Sequence, residues 1–192
     1  MSELIAIFIS LAIINNFIVA QFLGLCSFFG VSKNLGNAIS MGFAVILVML
    51  IASVATWIIN NYILIPFGVE YMNIIIFILV IASLVQIIDI FIKRTNQFLY
   101  NAFGVYLALI TTNCAVMGIV LINQDEGYSF IQSLVAALGA GIGFTLVLAI
   151  MSGIRERLEL ASCPKALKGL PLTFITTALL VLAFYGFTGI IR

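Results

Sequence analysis

The chain has 192 residues, of which 64% are hydrophobic and only 8% are charged, whereas an ordinary soluble domain has roughly 25% charged residues. This composition and the mean hydropathy of +1.31 exclude a soluble globular domain and favour several membrane spans. The net charge of +1 provides no basic surface for nucleic acid, and the chain has no histidine. Without the usual general base and the commonest neutral metal ligand, hydrolytic chemistry is not expected.

Six apolar runs follow one another along the chain, separated by polar clusters. They cover Leu4 to Val31, Ala38 to Ile59, Met72 to Ile92, Phe98 to Ile122, Ile131 to Ile154 and Leu170 to Ile191. Each is about 20 residues or longer, which is enough for a helix to cross a hydrocarbon core of about 30 Å. The sequence therefore predicts an all-α integral membrane protein, with six transmembrane helices in a single domain of residues 1–192. The start of the chain lacks a basic segment, so we expect the first run to be a span rather than a removable signal peptide.

The basic residues between the runs lie mostly on one side. Seven of the eight basic residues follow the first, third and fifth runs, namely Lys33, Lys93, Arg94, Arg155, Arg157, Lys165 and Lys168. The other side holds Glu3, Glu70, Asp125 and Glu126, with Arg192 as its only basic residue. Cytoplasmic loops carry an excess of Lys and Arg. We therefore expect the loops with the seven basic residues to be cytoplasmic and both termini to be external.

The first and fourth runs are too long for straight spanning helices. They contain 28 and 25 residues, which correspond to about 42 and 37 Å of helix. Both include polar and small residues that fit poorly in a lipid-facing helix: Asn15, Asn16, Gln21, Gly24 and Gly30 in the first, and Asn101, Gly104, Thr111, Thr112, Asn113 and Gly118 in the fourth. The sequence therefore predicts that both spans are broken into half-helices.

The two long runs occupy corresponding positions in two halves of three spans each, about residues 1–95 and 96–192. In each run a cysteine is followed four residues later by a glycine, as Cys26 with Gly30 and Cys114 with Gly118. With three spans per half, the second copy must be inverted in the membrane. Inverted repeats with interrupted spans at matching positions place the working site near the midplane.

Cys26 and Cys114 allow two interpretations. A free cysteine inside an apolar run is usually a small core hydrophobe, but a matched pair beside predicted breaks could also ligate an iron–sulfur cluster, zinc or Cu(I). Straight helices would keep the two thiols apart, whereas a break before each would bring them together. An iron–sulfur cluster needs four cysteine ligands, so the second interpretation requires a second protein chain. Cys163 lies in a polar loop, has no counterpart in the first half and is expected to be incidental.

Asp89 lies near the cytoplasmic end of the third predicted span. An acidic group at membrane depth is costly and indicates ion handling. Lys93, one helical turn later, offers an ion-pair partner instead. The sequence leaves an ion path and a simple pair at the end of a helix equally open.

Several motifs resemble the RnfA subunits of the Rnf complexes, the ion-translocating ferredoxin:NAD oxidoreductases of bacterial membranes. The motifs are Asn15-Asn16-Phe17, Gln21-Phe22-Leu23-Gly24-Leu25-Cys26, Gly30-Val31-Ser32-Lys33 and Leu109-Ile110-Thr111-Thr112-Asn113-Cys114-Ala115. The similarity runs through the whole chain. A related component of the sodium-pumping NADH:quinone reductases is similar at the corresponding stretches, but Leu25 and Arg155-Glu156-Arg157 favour the Rnf side.

The resemblance implies an electron-transfer component of the bacterial inner membrane. It implies that Cys26 and Cys114 each bind iron, and that two cysteines of the homologous RnfE subunit complete a [2Fe-2S] centre inside the membrane. Electron transfer would be coupled to export of Na⁺ or H⁺, and the isolated chain would not be catalytic. At the position of Asp89 the family usually has Glu, so the acidic side chain of this protein is shorter by one methylene.

Two rival functions remain at this level. One is an inverted-repeat ion or solute carrier without a redox centre, whose broken helices use Asn, Thr and backbone carbonyls at the midplane. The other is a redox-inert scaffold protein.

Overall fold

The computed structural model describes residues 2–32, 35–67, 72–95, 113–160 and 169–188. All the regular structure within these ranges is helical, which confirms the predicted all-α class. In chain order the elements are α1 (Ser2–Ile9), the π-helical turn π1 (Ser10–Ile14), α2 (Phe17–Ala20), α3 (Leu25–Val31), α4 (Leu35–Ile59), the π-helical turn π2 (Asn60–Leu64), α5 (Ile65–Phe67), α6 (Asn73–Thr95), α7 (Cys114–Asp125), α8 (Phe130–Leu160) and α9 (Leu170–Thr188).

Two of these helical segments are long and apolar enough to cross a bilayer, Leu35–Leu64 with 30 residues and Phe130–Leu158 with 29 residues. Shorter apolar helices of 10–17 residues correspond to the other predicted spans, at Glu3–Ile14, Asn73–Ile88, Cys114–Asp125 and Leu170–Gly186. Within the described ranges each predicted span thus contains apolar helix, and the number of membrane crossings remains a prediction.

The first predicted span is broken twice. The first break is at Asn15 and Asn16, where Asn16 adopts an extended conformation (φ −61°, ψ 130°) and its side chain accepts a hydrogen bond from the N–H of Ile18 to cap α2. The second precedes α3, where Gly24 has φ +82°. Asparagine is a strong N-cap and glycine adopts positive φ without steric cost, so the residues that suggested a break are the ones that make it.

The fourth predicted span is seen only in its second part. Asn113 is extended (φ −71°, ψ 115°) and α7 begins directly after it, at Cys114. A helix therefore starts at this cysteine, as a break at this point requires. The earlier part of the run, residues 98–112, lies outside the described residues.

The fifth predicted span continues beyond its expected end at Ile154. Helix α8 extends to Leu160, so Arg155, Glu156 and Arg157 are helical and the expectation that they lie in a loop was wrong. Arg, Glu and Leu are good helix formers, and a helix can continue where its apolar run stops.

Helix α8 packs along α4, and glycines make the contact close. An added Cβ at Gly141 would lie 2.7 Å from Cγ1 of Ile46, and Gly42 lies directly against the side chain of Thr145. Small residues spaced in this way let helix backbones approach closely in membranes. The α4–α8 pair forms the centre of the core, which includes the buried residues Val45, Met49, Phe144, Leu148 and Met151.

The other face of α8 receives the first span through Gly139 and Gly143. An added Cβ at Gly139 would lie 2.9 Å from the carbonyl oxygen of Phe8, and one at Gly143 would lie 2.5 Å from that of Ala12. Backbone atoms cannot rotate away as a flexible side chain can. These glycines therefore allow the broken span to lie directly on α8.

We predict that Gly143→Ala destabilises the protein by about 1–3 kcal/mol, because the new methyl group overlaps main chain. Gly153→Ala in the same helix is the matched control, since an added Cβ there meets nothing within 4 Å. Thermal denaturation of the purified protein in detergent measures the difference, and equal midpoints for the two variants would contradict the close approach.

Candidate functional site

The two cysteines singled out in the sequence both lie at the start of a helix. Cys26 is the second residue of α3 and Cys114 is the first residue of α7. Both thiols are free and both side chains are exposed on this chain. Neither cysteine therefore belongs to the buried core of this protein.

One hydrogen bond joins the two cysteine-bearing segments. Nδ2 of Asn113 donates to Oγ of Ser27 at 3.3 Å, linking the residue before Cys114 to the residue after Cys26. Asn113 also caps α7, because its Oδ1 accepts from the N–H of Ala115 at 3.1 Å. The structure thus brings together the two segments that straight helices would keep apart.

A second hydrogen bond extends this contact from Ser27 to Gly24. Oγ of Ser27 donates to the carbonyl oxygen of Gly24 at 2.9 Å, so the hydroxyl both accepts and donates. An added Cβ at Gly24 would lie 2.8 Å from Cε2 of Phe144 and 3.3 Å from Oδ1 of Asn113. Ser27 and Asn113 are only 0% and 3% exposed, so their polar groups depend on each other rather than on water.

Contacts along α8 show where this junction lies. The C-terminal end of α7 reaches α8 at Ser133, Gly24 contacts Phe144, and the C-terminal end of α3 reaches Arg155. Phe144 is eleven residues from each of the other two, or about 16 Å at 1.5 Å per residue. The cysteine segments therefore meet at the middle of α8, the longest of the described helices, and α3 and α7 run from there towards its opposite ends.

Arg155 anchors the far end of α3. Its Nη1 donates to the carbonyl oxygen of Phe29 at 3.0 Å and to Oγ of Ser32 at 2.7 Å, and the residue is only 9% exposed. The last carbonyls of a helix lack intrahelical partners, and the helix dipole favours a cation there. The sequence pattern placed Arg155 only in the cytoplasmic charge cluster and gave no sign of this role, because Phe29 lies 126 positions away along the chain.

The described donor groups on this chain are too few for a complete metal site. Among the described residues no group of three or more His, Cys, Asp or Glu side chains could hold a metal ion. The cysteine pair instead offers two exposed thiols on adjoining helix starts. Cys114 also borders a largely apolar groove of about 420 Å³, whose wall includes Ile78, Ile81 and Met117.

The remaining residues of the sequence-predicted site are only partly described. Asp89 lies within α6, but its side chain and that of Lys93 are outside the described residues, as is the whole of Cys163. The ion path and the ion pair with Lys93 therefore both stay predictions for Asp89.

Comparison with known proteins identifies the relatives of this chain. A family model described as Rnf-Nqr subunit, membrane protein, matches residues 4–191. The A subunit of an ion-translocating oxidoreductase complex from Syntrophotalea carbinolica is 47% identical, over 100% of this chain and 99% of the relative. The A subunit of an Na⁺-translocating ferredoxin:NAD⁺ oxidoreductase complex from Acetobacterium woodii is 48% identical over 97% of both chains. The A subunit of a proton-translocating complex of that type from Clostridium ljungdahlii is 44% identical, over 100% of this chain and 99% of the relative.

A double-mutant cycle tests the junction of the two cysteine segments. We predict that Ser27→Ala and Asn113→Ala are coupled by about 0.5 kcal/mol or more in unfolding free energy, because each removes the same hydrogen bond. Asn113→Ala also loses an N-cap, at a cost of about 0.5–2 kcal/mol.

The control cycle pairs Ser27→Ala with Asn16→Ala, since Asn16 caps α2 through its own local bonds. Denaturant titration in detergent should find this pair additive. Additivity in both cycles would mean that Asn113 and Ser27 do not interact.

Proposed function

The chain belongs to the Rnf-Nqr family of membrane subunits, and on that premise we propose that it is the A subunit of an ion-translocating ferredoxin:NAD⁺ oxidoreductase complex. Its role there is to carry electrons within the membrane as one component of the complex. Relatives named as this component match 97–100% of its length at 44–48% identity.

The observation that carries the redox role is the junction of the two cysteine segments by Asn113 and Ser27. We propose that Cys26 and Cys114 each provide one thiolate to a [2Fe-2S] centre, and that a homologous RnfE-like chain provides the other two. When bound, such a centre supplies one-electron transfer. This division of two ligands per chain matches the two exposed thiols seen here. Among the described residues no third candidate ligand is grouped with them.

The residues around the cysteines hold them in position. Asn113 caps the helix that begins with Cys114, and Ser27 ties it to the helix that carries Cys26. Arg155 anchors the other end of that helix. Cys114 also lies at the positive end of the dipole of the 12-residue α7, which favours an anionic ligand. Redox ligands held on packed helix starts need little reorganisation when a partner docks.

We further propose six spans in two inverted halves, about residues 1–95 and 96–192. The opposite directions of α3 and α7 from their shared junction support this arrangement. The charges near α8 support the proposed orientation, because Asp125 and Glu126 precede its start while Arg155 and Arg157 lie near its end. Under the positive-inside rule, the arginine end is cytoplasmic and both termini are external.

Labelling of amines tests this orientation. We predict that Lys93 and Lys168 react with a membrane-impermeant amine reagent only when it is applied from the cytoplasmic side of sealed vesicles. Permeabilised vesicles are the control for reactivity, and labelling of either lysine from outside intact vesicles would reverse the topology.

We propose Na⁺ or H⁺ as the coupling ion, since one relative is named as proton-translocating and another as Na⁺-translocating. We propose that Asp89 contributes to the ion path. We predict that Asp89→Asn, which removes the charge but keeps the shape, lowers ion transport by the assembled complex. Lys93→Gln is the control. If Asp89 only forms an ion pair with Lys93 at the helix end, the two variants should have the same ion transport. If Asp89 lies on the ion path, only Asp89→Asn should lower it.

Removing either ligand is expected to abolish the redox centre. We predict that Cys26→Ser and Cys114→Ser in the complex each lower iron content and visible absorption, with a loss of at least about tenfold in electron transfer. Cys163→Ser is the matched control and should behave like the parent. Full iron retention in both ligand variants would favour the carrier without a redox centre. Assays with ferredoxin as the electron donor and with quinone as the electron acceptor distinguish this complex from a sodium-pumping NADH:quinone reductase.

A further inference from the structure

A polar cavity lies away from the cysteines, between the ends of α4, α7 and π2 and the start of α8. It encloses about 150 Å³, which is room for several water molecules. Its wall includes the neutral polar side chains Ser53, Thr56, Asn60, Asn123, Gln124 and Ser133. No described basic or acidic side chain lines it.

Two of the residues that line this cavity each have a buried oxygen atom without a hydrogen-bond donor. Nδ2 of Asn123 donates to Oγ of Ser53 at 3.2 Å and to Oγ of Ser133 at 2.8 Å, which uses both of its hydrogens. Oδ1 of Asn123 and Oε1 of Gln124 are buried and have no hydrogen-bond partner. A buried acceptor left unpaired is destabilising by about the free energy of its lost hydration, so these two oxygens are short of a donor or a cation.

The surroundings favour a cation over an anion. Asn123 and Gln124 are in the last turn of α7, at the negative end of its dipole. The next two residues, Asp125 and Glu126, are exposed acids. Asn60 begins π2, and π-helical turns occur frequently at functional sites. Divalent ions in proteins usually take carboxylate ligands, and no described carboxylate lines the cavity, so neutral oxygens here suit a monovalent ion.

We propose that this cavity is a binding site for a monovalent alkali cation, Na⁺, coordinated by the side-chain oxygens of Asn123 and Gln124 and assisted by the hydroxyls around them. The inference rests on the proposed ion-translocating function and names where this chain would hold the ion. Transport proteins use uncharged carbonyl oxygens and the C-terminal ends of half-helices for Na⁺ in the same way.

A second cavity shares a wall residue with the first. Tyr128 lies in the wall of both cavities, and the second, of about 450 Å³, is lined by Glu126, Ser10, Asn15 and Gln21. Partial burial and the nearby Glu126 raise the pKa of Tyr128 above its usual value. Tyr128 in the shared wall therefore stays uncharged at neutral pH, and Glu126 lines the second cavity.

The test measures Na⁺ directly. Purified assembled complex is titrated with ²²Na⁺ in a choline buffer of constant ionic strength, and the iron content of each sample is measured. Gln124→Met and Asn123→Leu remove the proposed ligands at nearly constant volume, and each should weaken Na⁺ binding about tenfold or more. Asn37→Leu, the same change at an exposed position of α4, should bind Na⁺ like the parent.

The outcomes separate this site from the proposed redox role. Weakened Na⁺ binding with unchanged iron content supports the site. Unchanged Na⁺ binding in both cavity variants, or a parent complex that contains iron and transfers electrons but binds no Na⁺, overturns the site and leaves the redox role intact. Absence of iron from the parent would overturn the redox role only. If Asn123→Leu fails to assemble, Gln124→Met decides alone, since its Oε1 has no partner to lose.

Discussion

The constraint on which the structure depends is that a backbone interrupted inside an apolar protein must find its hydrogen-bond partners within the protein. The first span is interrupted at Asn16 and again at Gly24, and α7 begins abruptly after Asn113. Side-chain amides and the Ser27 hydroxyl bind the freed groups. Because Asn113 reaches both its own helix and Ser27, satisfying one break also fixes the other.

Close helix packing supports that junction. The glycines of α8 admit the backbone of the first span on one face and α4 on the other, so the broken segments lie against a continuous helix. Bulkier residues at Gly139 or Gly143 would overlap the backbone of the first span at Phe8 and Ala12. The cysteine positions thus follow from small residues that have no chemistry of their own.

Helix α7 connects the two sites proposed for this chain. Cys114 is its first residue and Asn123 is nine residues later, which is about 14 Å along the helix. The proposed redox ligand and the proposed cation ligands therefore lie at opposite ends of one half-helix. Ser27 holds its start through Asn113, and Ser53 and Ser133 hold its end through Asn123.

The sequence by itself determined the membrane class, the breaks near Asn16, Gly24 and Asn113, and the two cysteines, because hydropathy, cap preference and residue chemistry are local properties. It also determined that two thiols on one chain are too few for an iron–sulfur cluster. Only the tertiary structure decided that Asn113 meets Ser27, that Arg155 anchors α3 and that Asn123 and Gln124 each leave a buried oxygen unpaired. Asn113 and Ser27 are 86 positions apart in the chain, and Arg155 and Phe29 are 126 positions apart. Local sequence patterns carry no information on which distant polar groups will meet. The helical continuation through Arg155 was missed for a related reason, since packing on α3 stabilises a charged turn that composition assigns to a loop.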